Sequence, residues 1–245
     1  MRHLKIAATI AGLLALTACS AAHSAAPGPS PTASSVTVEP SNQPSPVASP
    51  TAAPPTVAQV TAWVNAAKLP ATAIGAAKPV NDIPGVAPTL AVCNVGIAAD
   101  QDELFAHYWR WTGKRIPYVE HAVFGYPSAA SDVVTQIRNR ASSCRSYDQK
   151  DPSGTGRVAF DGSYAFTPPS GIDGAYAFCE KSITLSPAQD KGQVAYICTA
   201  AVSRRDVLAT VRVFGAKATL ASAHAALGPP LRLAESTLVK AVPAP

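Results

Sequence analysis

The sequence predicts an α+β domain: an antiparallel sheet packed by helices, stabilised by disulfides and carried behind a disordered tether. Three observations support this. Strand-like segments come in runs with helical stretches between them, not in the strict alternation of a parallel α/β fold. Four cysteines follow the tether, Cys93, Cys144, Cys179 and Cys198, and an even count in an oxidising compartment reads as two disulfides. Residues 20–56 are almost entirely Ala, Pro, Ser and Thr, which cannot form a core.

The first residues have their own logic. Arg2 and Lys5 precede the apolar stretch Ile6 to Leu16, and Leu16-Thr17-Ala18-Cys19 closes it. Positive charge, a short apolar run and small residues form a secretory signal. The run is too short for a spanning helix, which needs about 20 apolar residues. The LTAC tetrapeptide resembles a bacterial lipobox, which implies cleavage before Cys19 and acylation of its thiol. Segment 1–18 is then the leader and Cys19 the membrane anchor, since buried methylenes contribute about 0.8 kcal/mol each. Everything beyond lies outside the cytoplasm, on the outer face of the cell membrane.

From Ser20 to Thr56 the chain carries nine prolines and one acidic residue, Glu39. At about 3.1 Å per residue, this tether reaches on the order of 100 Å. Losing Arg2 and Lys5 with the leader takes the formal charge from +5 to +3. No basic stripe is visible, so nucleic-acid binding is not expected.

The folded part, 57–245, begins with Val60, Trp63, Val64 and Ala67 at helical spacing, a short helix over 57–68 stopped before Pro70. Segment 69–101 reads as loop with one strand around 90–95. Leu104 to Trp111 and Tyr118 to Phe124 read as paired strands, with Thr112-Gly113-Lys114 in the connection. Ser128 is the N-cap candidate for a helix through Val133 and Ile137, ending near Cys144. Three strands follow at 174–185, 193–203 and 206–214. Val207, Ala209, Val211 and Val213 share one face of the last. Gly228-Pro229-Pro230 is expected to split a terminal helical region into 216–227 and 231–241.

Four cysteines allow three pairings. The absence of CxxC argues against a zinc site or a thioredoxin-like redox pair. If 174–185 and 193–203 form a hairpin, Cys179 and Cys198 lie opposite, which favours Cys179–Cys198 with Cys93–Cys144. Pairing of Cys144 with either hairpin cysteine stays open.

Catalytic templates fail: there is no GxSxG, HExxH or phosphate loop, and no catalytic residue, cofactor or metal is expected. His107 and His121 could act as ligands or bases beside Glu103 and Glu120. They read more simply as polar-face strand residues, because no third ligand has suitable spacing. Trp109 and Trp111 share a strand face, with Tyr108 on the other. With Tyr118 they are the candidate ligand contacts, able to stack on a ring. The favoured reading of the tryptophans is core under the terminal helix, since the domain has few other large aromatics to fill its interior. Arg204-Arg205-Asp206 reads as turn chemistry.

Between Phe124 and Leu227 a resemblance emerges. Tyr126-Pro127-Ser128-Ala129-Ala130, a helix ending in Cys144, and a late hairpin carry it. The hairpin reads Ile183-Thr184-Leu185, then Tyr196-Ile197-Cys198-Thr199, then Asp206 to Val211. This span resembles the extracellular sensor domain of mycobacterial transmembrane Ser/Thr kinases of the PknH type and related actinobacterial lipoproteins. That family has a Trp where Tyr196 stands and a further Cys where Phe214-Gly215 stands. The resemblance implies a helix-packed antiparallel sheet with a cleft for a small-molecule or cell-wall ligand, and no enzymatic activity.

The expectation is therefore a lipid-anchored, non-enzymatic ligand-binding or sensor-like module. The alternative is an envelope interaction or structural protein without a small-molecule ligand. A cleft lined by Trp109, Trp111 and Tyr118 favours the first, and burial of both tryptophans under a helix favours the second. A metal or hydrolytic site at the histidines favours an enzyme.

Overall fold

The computed structural model describes residues 53–70, 79–85, 90, 92–112, 118–151, 154–216 and 219–244. The leader 1–18, Cys19 and the tether as far as 52 lie outside them, as do Gly113 and Lys114 of the expected connection. Residues 50–245 form one compact unit. Helix α1 (Val57–Ala66) starts on a capping box in which Thr56 and Gln59 satisfy each other's backbone N–H groups.

Eight strands form one sheet. They are β1 (Asn81–Pro84), β2 (Phe105–Trp111), β3 (Tyr118–Gly125), β4 (Ser146–Asp151), β5 (Gly154–Ser163), β6 (Gly174–Ser186), β7 (Val194–Arg204) and β8 (Val207–Ala216). Their order is β1-β2-β3-β8-β7-β6-β5-β4, and every neighbouring pair is antiparallel. The α+β class therefore stands.

The register explains the two cores. Cross-strand partners share a face, so one row runs Cys179, Cys198, Val213, Val119, Trp111, and the next Ala177, Ala200, Val211, His121, Trp109. This first face packs under α1 and α3 (Leu220–Ala241). The opposite face carries Tyr108, Ala122, Phe124, Phe178, Ala201 and Leu208, and packs under α2 (Ala130–Ser143). Gly125 lets α1 settle, because a Cβ there would lie 1.9 Å from Val60 Cγ1.

Several expectations need correction. In place of a strand around 90–95, the described residues form a tight turn closed by a Val92–Val95 bridge. Cys93 and Asn94 both have positive φ, 59° and 57°, and the edge strand of this segment is β1. Strands β4 and β5 were not legible either. As an edge hairpin they bury only Val158 fully on the sheet, so the apolar alternation that marks a strand is missing.

Ser128 does not cap α2. The N-cap is Ala129, without a side-chain bond, and the Ala130 N–H instead donates to the Arg205 carbonyl at 2.7 Å. Helix α3 runs unbroken through Pro229 and Pro230. A helical proline costs about 3 kcal/mol, but Ala223, Leu227, Pro230, Leu231, Ala234 and Leu238 are all buried along one side. That continuous burial outweighs the lost backbone bonds. Arg204 is more than a turn residue: its buried guanidinium donates to the carbonyls of Val242 at 2.6 Å and Gly171 at 2.7 Å.

Both disulfides take the favoured pairing, Cys93–Cys144 and Cys179–Cys198. The second joins directly opposed residues of β6 and β7, as the hairpin geometry required.

Candidate functional site

The face under α2 holds a cavity of about 240 Å³. Its floor is two rows of the sheet. The first runs Ala201, Thr210, Ala122, Tyr108, and the second Phe178, Thr199, Arg212, Glu120. The small side chains of Ala122 and Ala201 leave the space open. Ile137 of α2 and Phe124 of β3 wall it, and Leu90 and Val92 cover it from the 90–101 segment. That segment is fastened to α2 twice, by Cys93–Cys144 and by the Ala99 N–H donating to Gln136 Oε1 at 3.1 Å.

One end of the cavity is charged. Glu120 accepts hydrogen bonds from the Tyr108 and Tyr118 hydroxyls, both at 2.6 Å. Arg212 lies 4.0 Å from Glu120 and 3.6 Å from Glu180, and the Tyr147 hydroxyl donates to Glu180 at 3.1 Å. Burial first, then the Glu120 carboxylate, raises the pKa values of Tyr108 and Tyr118, so both phenols stay donors. Burial also raises Glu180, against the pull of Arg212 and the Tyr147 hydrogen bond. The result is one guanidinium held between two carboxylates, at the end of an apolar cavity.

The candidate contacts divide between the faces. Trp109 and Trp111 are buried in the α1/α3 core, 0% and 2% exposed, and do not line this cavity. Strand alternation sends 108 and 109 to opposite faces, and helices cover both. Tyr118 lies on the cavity's face, where its hydroxyl joins Glu120 and also accepts from Arg110 at 3.0 Å.

The histidines lie on the Trp109 face. His107 stacks on Trp109 with ring centroids 3.9 Å apart. Its ring nitrogens meet Asn65 at 2.8 Å and Asp82 at 2.6 Å. His121 is wholly buried between the carbonyls of Thr210 and Ala67. Burial pulls its pKa down to about 4, against both carbonyls. Among the described residues, two triads have ligand-type atoms close together, Cys179–Cys198–His224 and Cys93–Cys144–Glu180. In each, two sulfurs are joined in a disulfide, so neither offers the thiolate that binds a metal.

With this geometry in view, one solved structure that the chain resembles is the crystal structure of the extracellular domain of PknH from Mycobacterium tuberculosis. Identity is 12%, the TM-score is 0.49, and the match covers 76% of this chain and 97% of that one. No family model and no curated protein matches.

Sequence reasoning missed the charged row. Glu120 was noted only as a neighbour of His121, and Glu180 and Arg212 were not singled out. A usable signal was present: each is an ionised residue within a mostly apolar strand segment, YVEHAVF, YAFCEK and VLATVRVF. A charge on a strand covered by helices needs a partner or a purpose.

Proposed function

We propose that this chain is a non-enzymatic ligand-binding module, displayed outside the cytoplasm by a lipid on Cys19, with the cavity under α2 as its ligand seat. The observation that carries the reading is the cavity itself. It is partly enclosed, mostly apolar and ended by polar groups that can fix orientation, the usual composition of a small-molecule site. Two disulfides support an oxidising compartment. No helix among the described residues is long and apolar enough to cross a membrane, and the LTAC tetrapeptide supports attachment through Cys19.

Filling the cavity tests the ligand seat. Native mass spectrometry of the chain isolated from its own host should show a retained small-molecule mass in the wild type. Ala201→Phe should lack it, with Ala122→Leu as a second filling variant if the first folds poorly. Identical spectra for wild type and filled variants would sink this reading. The interaction-protein alternative is supported by burial of both tryptophans, and such identical spectra would leave it standing.

Anchoring has its own test. Cys19→Ser should leave the membrane fraction or accumulate as unprocessed precursor. Unchanged detergent-phase partitioning with unchanged mass would exclude the lipid anchor.

A further inference from the structure

The same sheet face continues past the charged row into a second, more open depression of about 410 Å³. The strands place the two in line. Next to the Phe178–Thr199–Arg212–Glu120 row comes Glu180, Ile197, Phe214, Tyr118, and beyond it Ser182 pairs with Ala195. Thr184 and Ser186 follow on the same side of β6. The cavity and the depression therefore lie end to end along one face of the sheet, with the Arg212–Glu180 pair at the junction.

The depression differs chemically from the cavity. Its bed consists of Ser182, Thr184, Ser186, Gln149 and Gln193, neutral groups that can each donate and accept a hydrogen bond. Gly156 adds no side chain, and a Cβ there would stand 3.2 Å from the Ser182 hydroxyl. Phe214 offers a ring at the junction. Among the described residues no lysine or arginine lines the bed, and the one acid there, Asp190, already accepts from Gln193 at 2.8 Å. At the junction, Arg212 faces two carboxylates, and those carboxylates hold three phenolic hydrogen bonds between them. An ionic head would find its counter-charge already engaged. A polyhydroxyl head would find donors, acceptors and an apolar ring face together.

Resting on the cavity reading above, we propose that the two spaces act as one trough seating one amphiphile, its apolar chain in the cavity under α2 and its uncharged polyhydroxyl head on the Ser182–Thr184–Gln149 bed. The ligand class is glycolipid-like: a sugar or polyol joined to an alkyl chain.

The test is photo-crosslinking of the full chain in lipid nanodiscs, with decyl glucoside and decanoate as probes, each carrying a diazirine in its chain. Peptide mapping should place the glucoside label on the Ile137 and Phe178 peptides. Unlabelled decyl glucoside should displace it at a concentration at least tenfold lower than decanoate, decyltrimethylammonium or methyl glucoside. The Ser182→Ala/Thr184→Val double variant should abolish that preference while the decanoate probe still labels the cavity. Equal displacement by a charged-head competitor, or a preference unchanged in the double variant, overturns the head subsite and leaves the cavity reading intact. Displacement by methyl glucoside as effective as by decyl glucoside overturns the amphiphile. Absence of cavity labelling by both probes overturns the cavity reading itself.

Discussion

Trp109→Ala should lower the free energy of unfolding by about 3–5 kcal/mol, the range for emptying a large aromatic site. Trp109 is fully buried and is the central ring of a stack, with His107 at 3.9 Å and His121 at 5.4 Å. Lys68 approaches its ring at 5.4 Å. Removing the indole therefore leaves a cavity between two imidazoles whose hydrogen bonds hold them in place. The indole N–H has no hydrogen-bond partner among the described residues. Trp109→Phe should accordingly cost much less, because only volume is lost. Urea unfolding followed by circular dichroism gives both values through the midpoint at constant slope. A loss below about 1 kcal/mol for the alanine variant, where core truncation costs several, would mean that α1 and α3 do not close over this face.

Removing the Cys93–Cys144 bridge, as the double alanine variant, should cost about 4 kcal/mol in the chain-entropy model. It spans 51 residues, against 19 for Cys179–Cys198, for which the same relation gives about 3 kcal/mol. The longer bridge should matter for a second reason. It ties the turn carrying Leu90 and Val92 over the cavity to the end of α2. Amide exchange should therefore rise in 92–101 well before the central strands lose protection. A variant with wild-type exchange in 92–101 would show that packing alone holds this cover, contrary to the bridge's assigned role. The Cys179–Cys198 bridge should behave differently. It lies within a ladder whose partners β5 and β8 already fix the register of β6 and β7, so its loss should lower stability without local opening.

Much of the architecture was legible because it is local. The β6–β7 hairpin, the β7–β8 turn and helix α2 each follow from periodicity and turn residues within a short span. The hairpin favoured the observed disulfide pairing, because an antiparallel register sets Cys179 against Cys198, but pairing of Cys144 with either stayed open. The edge strands were not legible. β4 and β5 turn polar side chains to both sides, and β1 has only four residues. The continuity of α3 was also hidden, because its two prolines signal a break that only burial against the sheet overrides.

For the site, alternation told which residues share a face but not what covers that face. It put Trp109 and Trp111 opposite Tyr108, and left the tryptophans readable either as ligand contacts or, as favoured, as core. The fold lays α1 and α3 over the tryptophans and α2 over the tyrosine, so the larger rings became core and the open space fell among Ala122, Ala201 and Thr210. Glu120 meets Arg212 only when β3 and β8 pair across 92 positions of the chain, and Glu180 joins them only through β6 and β7. The sequence by itself determined the α+β class and the local hairpins, and favoured one of three cysteine pairings. The tertiary structure alone decided which face is core and which is cavity, because that depends on where helices distant in the chain come to rest.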